Sequence, residues 1–251
     1  MFNLIKMDLY RLFKTKSFYI IGIILAAFVF MVMYSLSSSD AQFIEDFYGY
    51  NLQEMQFIDL LYQTFMNGMV PMVIGIGAAI FICVDYSSGY IKNIASSVKQ
   101  RATIALSKFI VSTFGVILYF ILMILLTYIL GILFLGSVAI GDVSLLVRYV
   151  SLDVFLVITF IALVLLAANY FRSSAASITL IVVVMMATQL VYSAIDHFLE
   201  IDLSVYSPVM NMQTLTPTYT DDWMSVFISA AIMLVVYVVT STFVANKKDI
   251  T

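Results

Sequence analysis

Six long apolar blocks are the feature of this sequence that most restricts its fold. A bilayer's hydrocarbon core is about 30 Å thick, and a helix needs about 20 residues to cross it. Because no water satisfies backbone groups there, each block must close its own hydrogen bonds as a helix. A membrane barrel would alternate apolar and polar residues, whereas residues 116–126 and 180–187 are apolar on every face. We therefore predict an all-α polytopic membrane protein.

The composition agrees with this fold class. Apolar residues make up 63% of the 251 residues and charged residues only 11%, too few charges to cover a soluble domain of this length. We predict a single transmembrane domain over residues 1–251, with an interfacial helix at 1–16 and spans at about 17–36, 65–84, 106–134, 147–168, 175–195 and 223–245.

The basic residues predict the orientation of the chain. With six spans, all but one of the 12 lysines and arginines fall on the side of the two termini, and only Arg148 falls opposite. Acidic residues concentrate instead in the two long loops of the other side, at about 37–64 and 196–222. By the positive-inside rule we expect a multi-pass protein of the cell membrane with both termini in the cytoplasm.

The first 16 residues have the periodicity of an amphipathic helix. The pattern predicts an interfacial helix whose cations, Lys6, Arg11 and Lys14, face anionic headgroups together with Asp8, away from the apolar face. The alternative is a basic flank without fixed structure. The predicted apolar face consists of Phe2, Ile5, Leu9, Leu12 and Phe13.

The longest polar stretch on the cytoplasmic side covers residues 85–108. Ser87 and Ser88 could cap a short helix over residues 91–98. Such a helix would let another protein push on the two spans it joins, whereas a plain connector would contact only water. Composition does not decide between the helix and the plain connector.

On the opposite side, Pro208 and apolar neighbours make residues 196–222 a candidate for re-entrant or interfacial helices before the sixth span.

In this order of features the sequence resembles the permease subunits of type-2 ABC exporters. Those chains open with a basic amphipathic helix, and their second span ends in an acidic residue followed by a glycine and a basic segment. Asp85, Gly89, Arg101 and Lys108 match that pattern, and residues 246–250 match the short basic tail of the family. The resemblance covers the whole chain. It departs at Asp85, where glutamate is common.

The resemblance implies a partner that binds ATP. Residues 86–100 would be the coupling helix that docks into an ATP-binding subunit, and two permeases, identical or homologous, would assemble with two such subunits. ATP and Mg²⁺ would bind in the partner, with no cofactor in this chain. The residues that the resemblance implies for this docking are Asp85, Tyr86, Ser88, Gly89, Tyr90, Ile91, Ile94, Val98 and Arg101.

Motifs for catalysis within the chain are missing from the sequence. The nearest approach to a phosphate-binding loop, residues 131–137, lacks the lysine, and the single histidine, His197, rules out paired-histidine metal spacing. We therefore expect neither an enzyme nor a metal site, and nothing in the sequence indicates nucleic-acid binding.

Three polar residues in or near the predicted spans are candidates for a transport pathway: Asn67, Asn169 and Gln189. Interhelical hydrogen bonding is the alternative use of such residues. For the substrate of this exporter, which we expect to be bacterial, we favour a hydrophobic or amphipathic peptide, such as an antimicrobial peptide or peptide toxin, because acidic outer loops could attract cationic amphiphiles. Export of a lipid, drug, sodium or glycan is left open. An ion-coupled secondary transporter and a non-transporting scaffold or sensor are the alternative functions. A smooth face on the second span at Gly75 and Gly77 could serve packing within the chain or between permeases.

Overall fold

The computed structural model describes residues 1–38, 55–65, 68–89, 102–199, 206–216 and 223–247. In these ranges the chain is helical apart from short connections and one isolated bridge between Gln56 and Ala139. The helices are α1 (Phe2–Lys14), α2 (Lys16–Ser38), α3 (Phe57–Phe65), α4 (Met69–Ser87), α5 (Ala102–Leu135), α6 (Val143–Phe171), α7 (Ser174–Leu199), α8 (Pro208–Thr214) and α9 (Trp223–Lys247).

Six of these helices are long and apolar enough to cross a membrane: α2, α4, α5, α6, α7 and α9. The prediction of an all-α polytopic membrane protein is therefore confirmed. The longest, α5, is one helix of 34 residues, about 51 Å at 1.5 Å per residue. It extends beyond a 30 Å hydrocarbon core unless it tilts.

The second membrane helix begins later than the sequence predicts. A span from residue 65 was expected, but α4 begins at Met69, and residues 57–65 form the separate helix α3. Gly68 stands immediately before α4 with a φ of 62°. This left-handed conformation suits glycine and sets α4 off from the chain before it.

Helix α6 lies at the centre of the bundle. It contacts α4, α5, α7, α8 and α9, and the apolar window of this span is 61% buried, against 11% for α7. Its buried residues include Phe160, Ile161 and Leu165. The peripheral spans cover α6 and leave their own outer faces to the surroundings.

Small residues on α4 allow neighbouring helices to approach closely. A Cβ atom placed on Gly75 would lie 2.7 Å from Cε1 of Phe160 on α6, and one on Gly77 would lie 3.0 Å from Cγ1 of Ile21 on α2. The glycine face of this span is therefore used for packing within the chain.

The corner between α1 and α2 is held against α5. Helix α1 ends at Lys14, Thr15 is extended, and α2 begins at the next residue. The Tyr119 hydroxyl of α5 donates a hydrogen bond to the Phe18 carbonyl at 2.8 Å, and the two rings stack with centroids 5.0 Å apart. These contacts fix where the chain turns from α1 into the first span.

Helices α6 and α8 are each capped at the N-terminus by a side chain. Asp142 precedes α6, and its carboxylate accepts hydrogen bonds from the Ser144 hydroxyl and amide, each at 2.8 Å, which lower the pKa of Asp142. Ser207 caps α8, the short helix before the last span. Gln213 of α8 donates a hydrogen bond to the Met185 carbonyl of α7 at 2.8 Å. Helix α8 therefore packs into the bundle.

Candidate functional site

The candidate site lies where α4 ends. Asp85 and Tyr86 occupy its last turn and are the first of the residues for which the resemblance implies docking. Because successive spans run in opposite directions, this end of the bundle also holds α1, the starts of α5 and α7, and the ends of α6 and α9. Two polar networks meet there.

The first network, which we call the ion cluster, consists of Asp8, Arg11, Asp85 and Lys108. The Lys108 ammonium lies 2.6 Å from Oδ2 of Asp85 and 2.9 Å from Oδ1 of Asp8. Arg11 donates a hydrogen bond to Oδ1 of Asp85 and lies 4.0 Å from Asp8. Two acids and two bases thus join α1, α4 and α5 in one neutral group.

Three members of the ion cluster are buried, whereas the Arg11 side chain is 27% exposed. Asp8 and Asp85 are each 1% exposed and Lys108 is 3% exposed. The Ser107 hydroxyl adds a hydrogen bond to Oδ2 of Asp8 at 2.7 Å, and the Lys108 ammonium lies 4.4 Å from the centre of the Phe81 ring. Removing one member of a buried ion group leaves an uncompensated charge, at a typical cost of about 3–5 kcal/mol. The four charges are therefore strongly interdependent.

The orientation of α1 differs from the sequence prediction. Asp8 and Arg11 were expected to face headgroups, but they turn inward to the ion cluster beside the buried Leu12. Of the predicted apolar face, Leu12 is buried, Ile5 and Leu9 pack against the core, and Phe2 and Phe13 lie on the protein surface, 79% and 39% exposed. Asp8 faces inward because it gains an ion pair with Lys108 and a hydrogen bond from Ser107.

The second network, the Tyr86 network, consists of Tyr86, Asn169 and Ser241. The Tyr86 hydroxyl donates to Oδ1 of Asn169, and Nδ2 of Asn169 donates to Oγ of Ser241, both at 2.7 Å. The Arg172 guanidinium lies 5.5 Å from the centre of the Tyr86 ring. This network joins α4 to α6 and α9.

Adjacent residues of α4 therefore serve different groups of helices. Asp85 is bound to α1 and α5, whereas Tyr86 is bound to α6 and α9. Neighbouring positions on a helix point about 100° apart, so one turn of α4 reaches both groups. A displacement of this turn along or across the bundle would act on four other helices at once.

Gly89 ends this turn. The amides of Ser88 and Gly89 donate to the carbonyls of Val84 and Tyr86 at 3.0 and 3.3 Å, and Gly89 has a φ of 68°. No atom lies within 4 Å of a Cβ placed there. Glycine is thus suited to this position by its backbone conformation, as at many helix ends.

The other predicted site residues fall in three places. Ser88 is exposed at the end of α4, Gln189 is exposed on α7, and Asn169 is buried with both of its amide atoms hydrogen-bonded between helices. That is the interhelical use that the sequence left open, and a pathway role stays a prediction. Asn67, Tyr90, Ile91, Ile94, Val98 and Arg101 lie outside the described residues.

Sequence reasoning missed the partners of Asp85. Lys108 falls inside the predicted third span, and an ionisable residue in an apolar block is itself a sign of function or pairing. Asp8 is the one acid in a basic segment and lies one helical turn from Leu12, on the face that proves to be buried. Ser241 carried no comparable signal. Among the described residues, no group of three histidine, cysteine or carboxylate side chains could hold a metal ion.

Comparison with known proteins identifies the family. A family model described as ABC-2 family transporter protein matches residues 4–188, nearly three quarters of the chain, and its range contains the ion cluster. No curated protein matches the chain. The family match confirms the resemblance seen in the sequence, and the six apolar helices agree with it. The chain belongs to the ABC-2 family and is a multi-pass ABC transporter permease.

Proposed function

We propose that this permease is the membrane subunit of an ATP-driven exporter, in which residues 86–100 transmit movement from a separate ATP-binding subunit. The observation that carries the proposal is the connection of Asp85 and Tyr86, at the start of this segment, to two different groups of helices. A partner that moved the segment would act on both groups through the last turn of α4.

The ion cluster supports the transmission of movement because separating its members has a high cost in free energy. Lys108 bridges two carboxylates from α1 and α4, and these side chains are almost completely buried. Pulling the end of α4 away from α5 would leave buried charges unpaired, at a cost of several kcal/mol. The helices α1, α4 and α5 should therefore move together as one unit.

The Tyr86 network supports a softer connection to the other helices. It consists of neutral hydrogen bonds, each worth about 1 kcal/mol net, together with the Arg172 guanidinium beside the Tyr86 ring. These bonds can break and reform during a conformational cycle. We infer that α6 and α9 change position relative to α4 when the exporter switches between inward- and outward-facing states.

ATP and Mg²⁺ are expected in the partner, since the chain has no phosphate-binding loop of its own. We propose an assembly of two permeases, identical or homologous, with two ATP-binding subunits. The exposed face of α7, which carries Gln189 among apolar residues, is available for contact with a second permease or the pathway. The basic residues support a cell-membrane location with both termini cytoplasmic.

For the substrate we propose a hydrophobic or amphipathic peptide, such as a bacterial antimicrobial peptide or peptide toxin. The support is the acidic character of the outer loops, which would concentrate cationic amphiphiles near the pathway. Competition of such peptides against ATP-dependent transport by the reconstituted complex measures this directly. Absence of any peptide effect would exclude this substrate class.

The first experiment is mild-detergent purification of the tagged permease from its native host, with identification and ATPase assay of the co-purifying proteins. We expect a stoichiometric ATP-binding subunit. Double substitution Ile91→Asp with Ile94→Asp should remove it, because the two isoleucines share one face of the predicted coupling helix.

The matched control is Asn93→Asp with Ser96→Asp, which introduces the same charges in the same segment but largely on the other face. It should retain the partner. Recovery of the intact permease alone, without any ATPase, would instead favour the ion-coupled secondary transporter or the non-transporting scaffold or sensor. Transport driven by an ion gradient without ATP would separate those two.

A further inference from the structure

A buried carboxylate in α6 is not used by either network. Asp153 is 4% exposed, and it lies in the most buried of the spanning helices. Asp153 follows the first residue of α6, Val143, by ten positions, about 15 Å along the axis. The ion cluster lies at the opposite end of the bundle. Asp153 is therefore a separate feature.

The position of Asp153 within the spanning helix α6 indicates that it lies inside the hydrocarbon region. Arg148 on α6 and Trp223 on α9 stack with a separation of 5.3 Å between the guanidinium carbon and the ring centre, a pair typical of a membrane interface. Asp153 lies five residues beyond Arg148, about 7–8 Å deeper. An unpaired charge at such depth is unfavourable, and ionisable residues in spanning segments mark functional sites.

No cation or hydrogen-bond donor contacts the Asp153 carboxylate within the described part of the chain. Arg148 is five positions away, about 140° around the helix, and its guanidinium lies against Trp223. The one charged residue of α9 is Lys247, at the other end of that helix. The nearest polar side chain on the same face of α6 is that of Tyr149, one turn before Asp153, and it is also buried, with an exposed fraction of 6%.

The chemistry of these side chains indicates which class of ligand would bind. One carboxylate does not make a divalent-metal site, and the described residues contain no group of three metal-ligating side chains. A single buried carboxylate near an aromatic side chain instead suits a weakly hydrated organic cation, such as a phosphonium, a quaternary ammonium or a guanidinium.

We propose that Asp153, with the buried Tyr149 one turn before it, is an intramembrane recognition site for the cationic group of an amphipathic ligand. This deepens the proposed function, on which it rests for the idea that the ligand is exported. Asp153 acts here as a binding residue, and it supplies the negative charge that distinguishes a cationic amphiphile from a neutral one of the same size.

The test uses the full chain in nanodiscs of zwitterionic lipid, without any ATPase or ATP. Equilibrium binding of tetraphenylphosphonium, a hydrophobic cation, is compared with that of triphenylphosphine oxide, a neutral analogue, after subtraction of binding to empty nanodiscs. The wild type should bind the cation at least tenfold more tightly. Asp153→Asn should weaken cation binding at least tenfold and remove the preference.

Asp142→Asn is the matched control, since Asp142 is an exposed carboxylate at the same end of the same helix and asparagine retains the cap. It should leave the binding unchanged.

A second measurement needs no variant: a hydrophobic carbodiimide should label Asp153 in the wild type, and tetraphenylphosphonium should protect it. Equal binding of the cation and the neutral analogue, or labelling without protection, would overturn the site. Either result leaves the co-purification of an ATPase, and hence the proposed function, to be judged separately.

Discussion

At the scale of single residues, the ion cluster shows how burial turns common side chains into interdependent ones. The ammonium of Lys108 pairs with two carboxylates, those of Asp8 on α1 at 2.9 Å and Asp85 on α4 at 2.6 Å. In water such pairs are worth little, but a buried pair that loses one partner leaves a charge without solvation. The consequences of substitution should therefore depend on which partners remain.

Lys108→Met should lower the stability of the permease by about 3 kcal/mol or more, because it leaves Arg11 as the one base in the cluster for the two acids, Asp8 and Asp85. Thermal unfolding in detergent measures the loss, and Lys6→Met, the removal of an exposed cation from α1, is the control. In an Asp85→Asn background the same substitution should cost less. Additive effects of the two changes would contradict the interdependence of the cluster.

Tyr86→Phe removes one hydroxyl and leaves the buried Oδ1 of Asn169 without its donor. We expect a loss of stability of about 1–3 kcal/mol, the usual cost of an unsatisfied buried acceptor. Tyr34→Phe, at a tyrosine that is 57% exposed on α2, should change the melting temperature little. Equal effects of the two substitutions would show that the Tyr86 hydrogen bond contributes nothing specific.

At the scale of the elements, close approach of α4 to its neighbours determines how the bundle packs. The second span has little room for side chains at Gly75, where the Phe160 ring of α6 occupies the space. Interfaces of small residues in membranes gain stability from van der Waals packing, because lipid chains are as apolar as the side chains. A single methyl group placed there acts on the central helix of the protein.

Gly75→Ala should destabilise the bundle by about 1–3 kcal/mol, since a Cβ at 2.7 Å from the Phe160 ring forces a backbone shift or a strained rotamer. Gly22→Ala on α2 is the matched control, because its Cβ would meet its nearest atom at an ordinary 3.7 Å. That control should be neutral or slightly stabilising, as alanine is the better helix former. Melting curves of both variants in the same detergent distinguish them, and a neutral Gly75→Ala would contradict the close packing.

At the scale of the whole molecule, basic residues are more numerous at one end of the bundle than at the other. The ion cluster, Arg172 and the basic ends of α1 and α9 lie at one end, whereas Asp142 and Arg148 lie at the other. By the positive-inside rule we predict that the first end faces the cytoplasm. This orientation is what the proposed ATP-binding partner requires, since ATP is cytoplasmic.

Single-cysteine labelling tests the orientation. The one native cysteine, Cys83, is buried and can be replaced by alanine before a new cysteine is introduced. A membrane-impermeant maleimide should label Asp142→Cys in intact cells, because this position is exposed at the predicted outer end. Lys248→Cys, in the basic tail, should react only after the membrane is permeabilised. The opposite pattern would invert the topology and exclude the proposed docking of residues 86–100 in the cytoplasm.

The sequence by itself determined the fold class, the approximate positions of the spans and the family, because these follow from long apolar blocks and from the order of local patterns along the chain. It also singled out Asp85 and Tyr86. Only the tertiary structure decided what they bind: Asp85 pairs with Arg11, 74 residues away, and Tyr86 with Asn169, 83 residues away. Likewise, the inward face of α1 was decided by Lys108 and Ser107, the latter 99 residues from Asp8. Periodicity describes which residues share a face of one helix, but a charge turns inward only where another helix brings its partner.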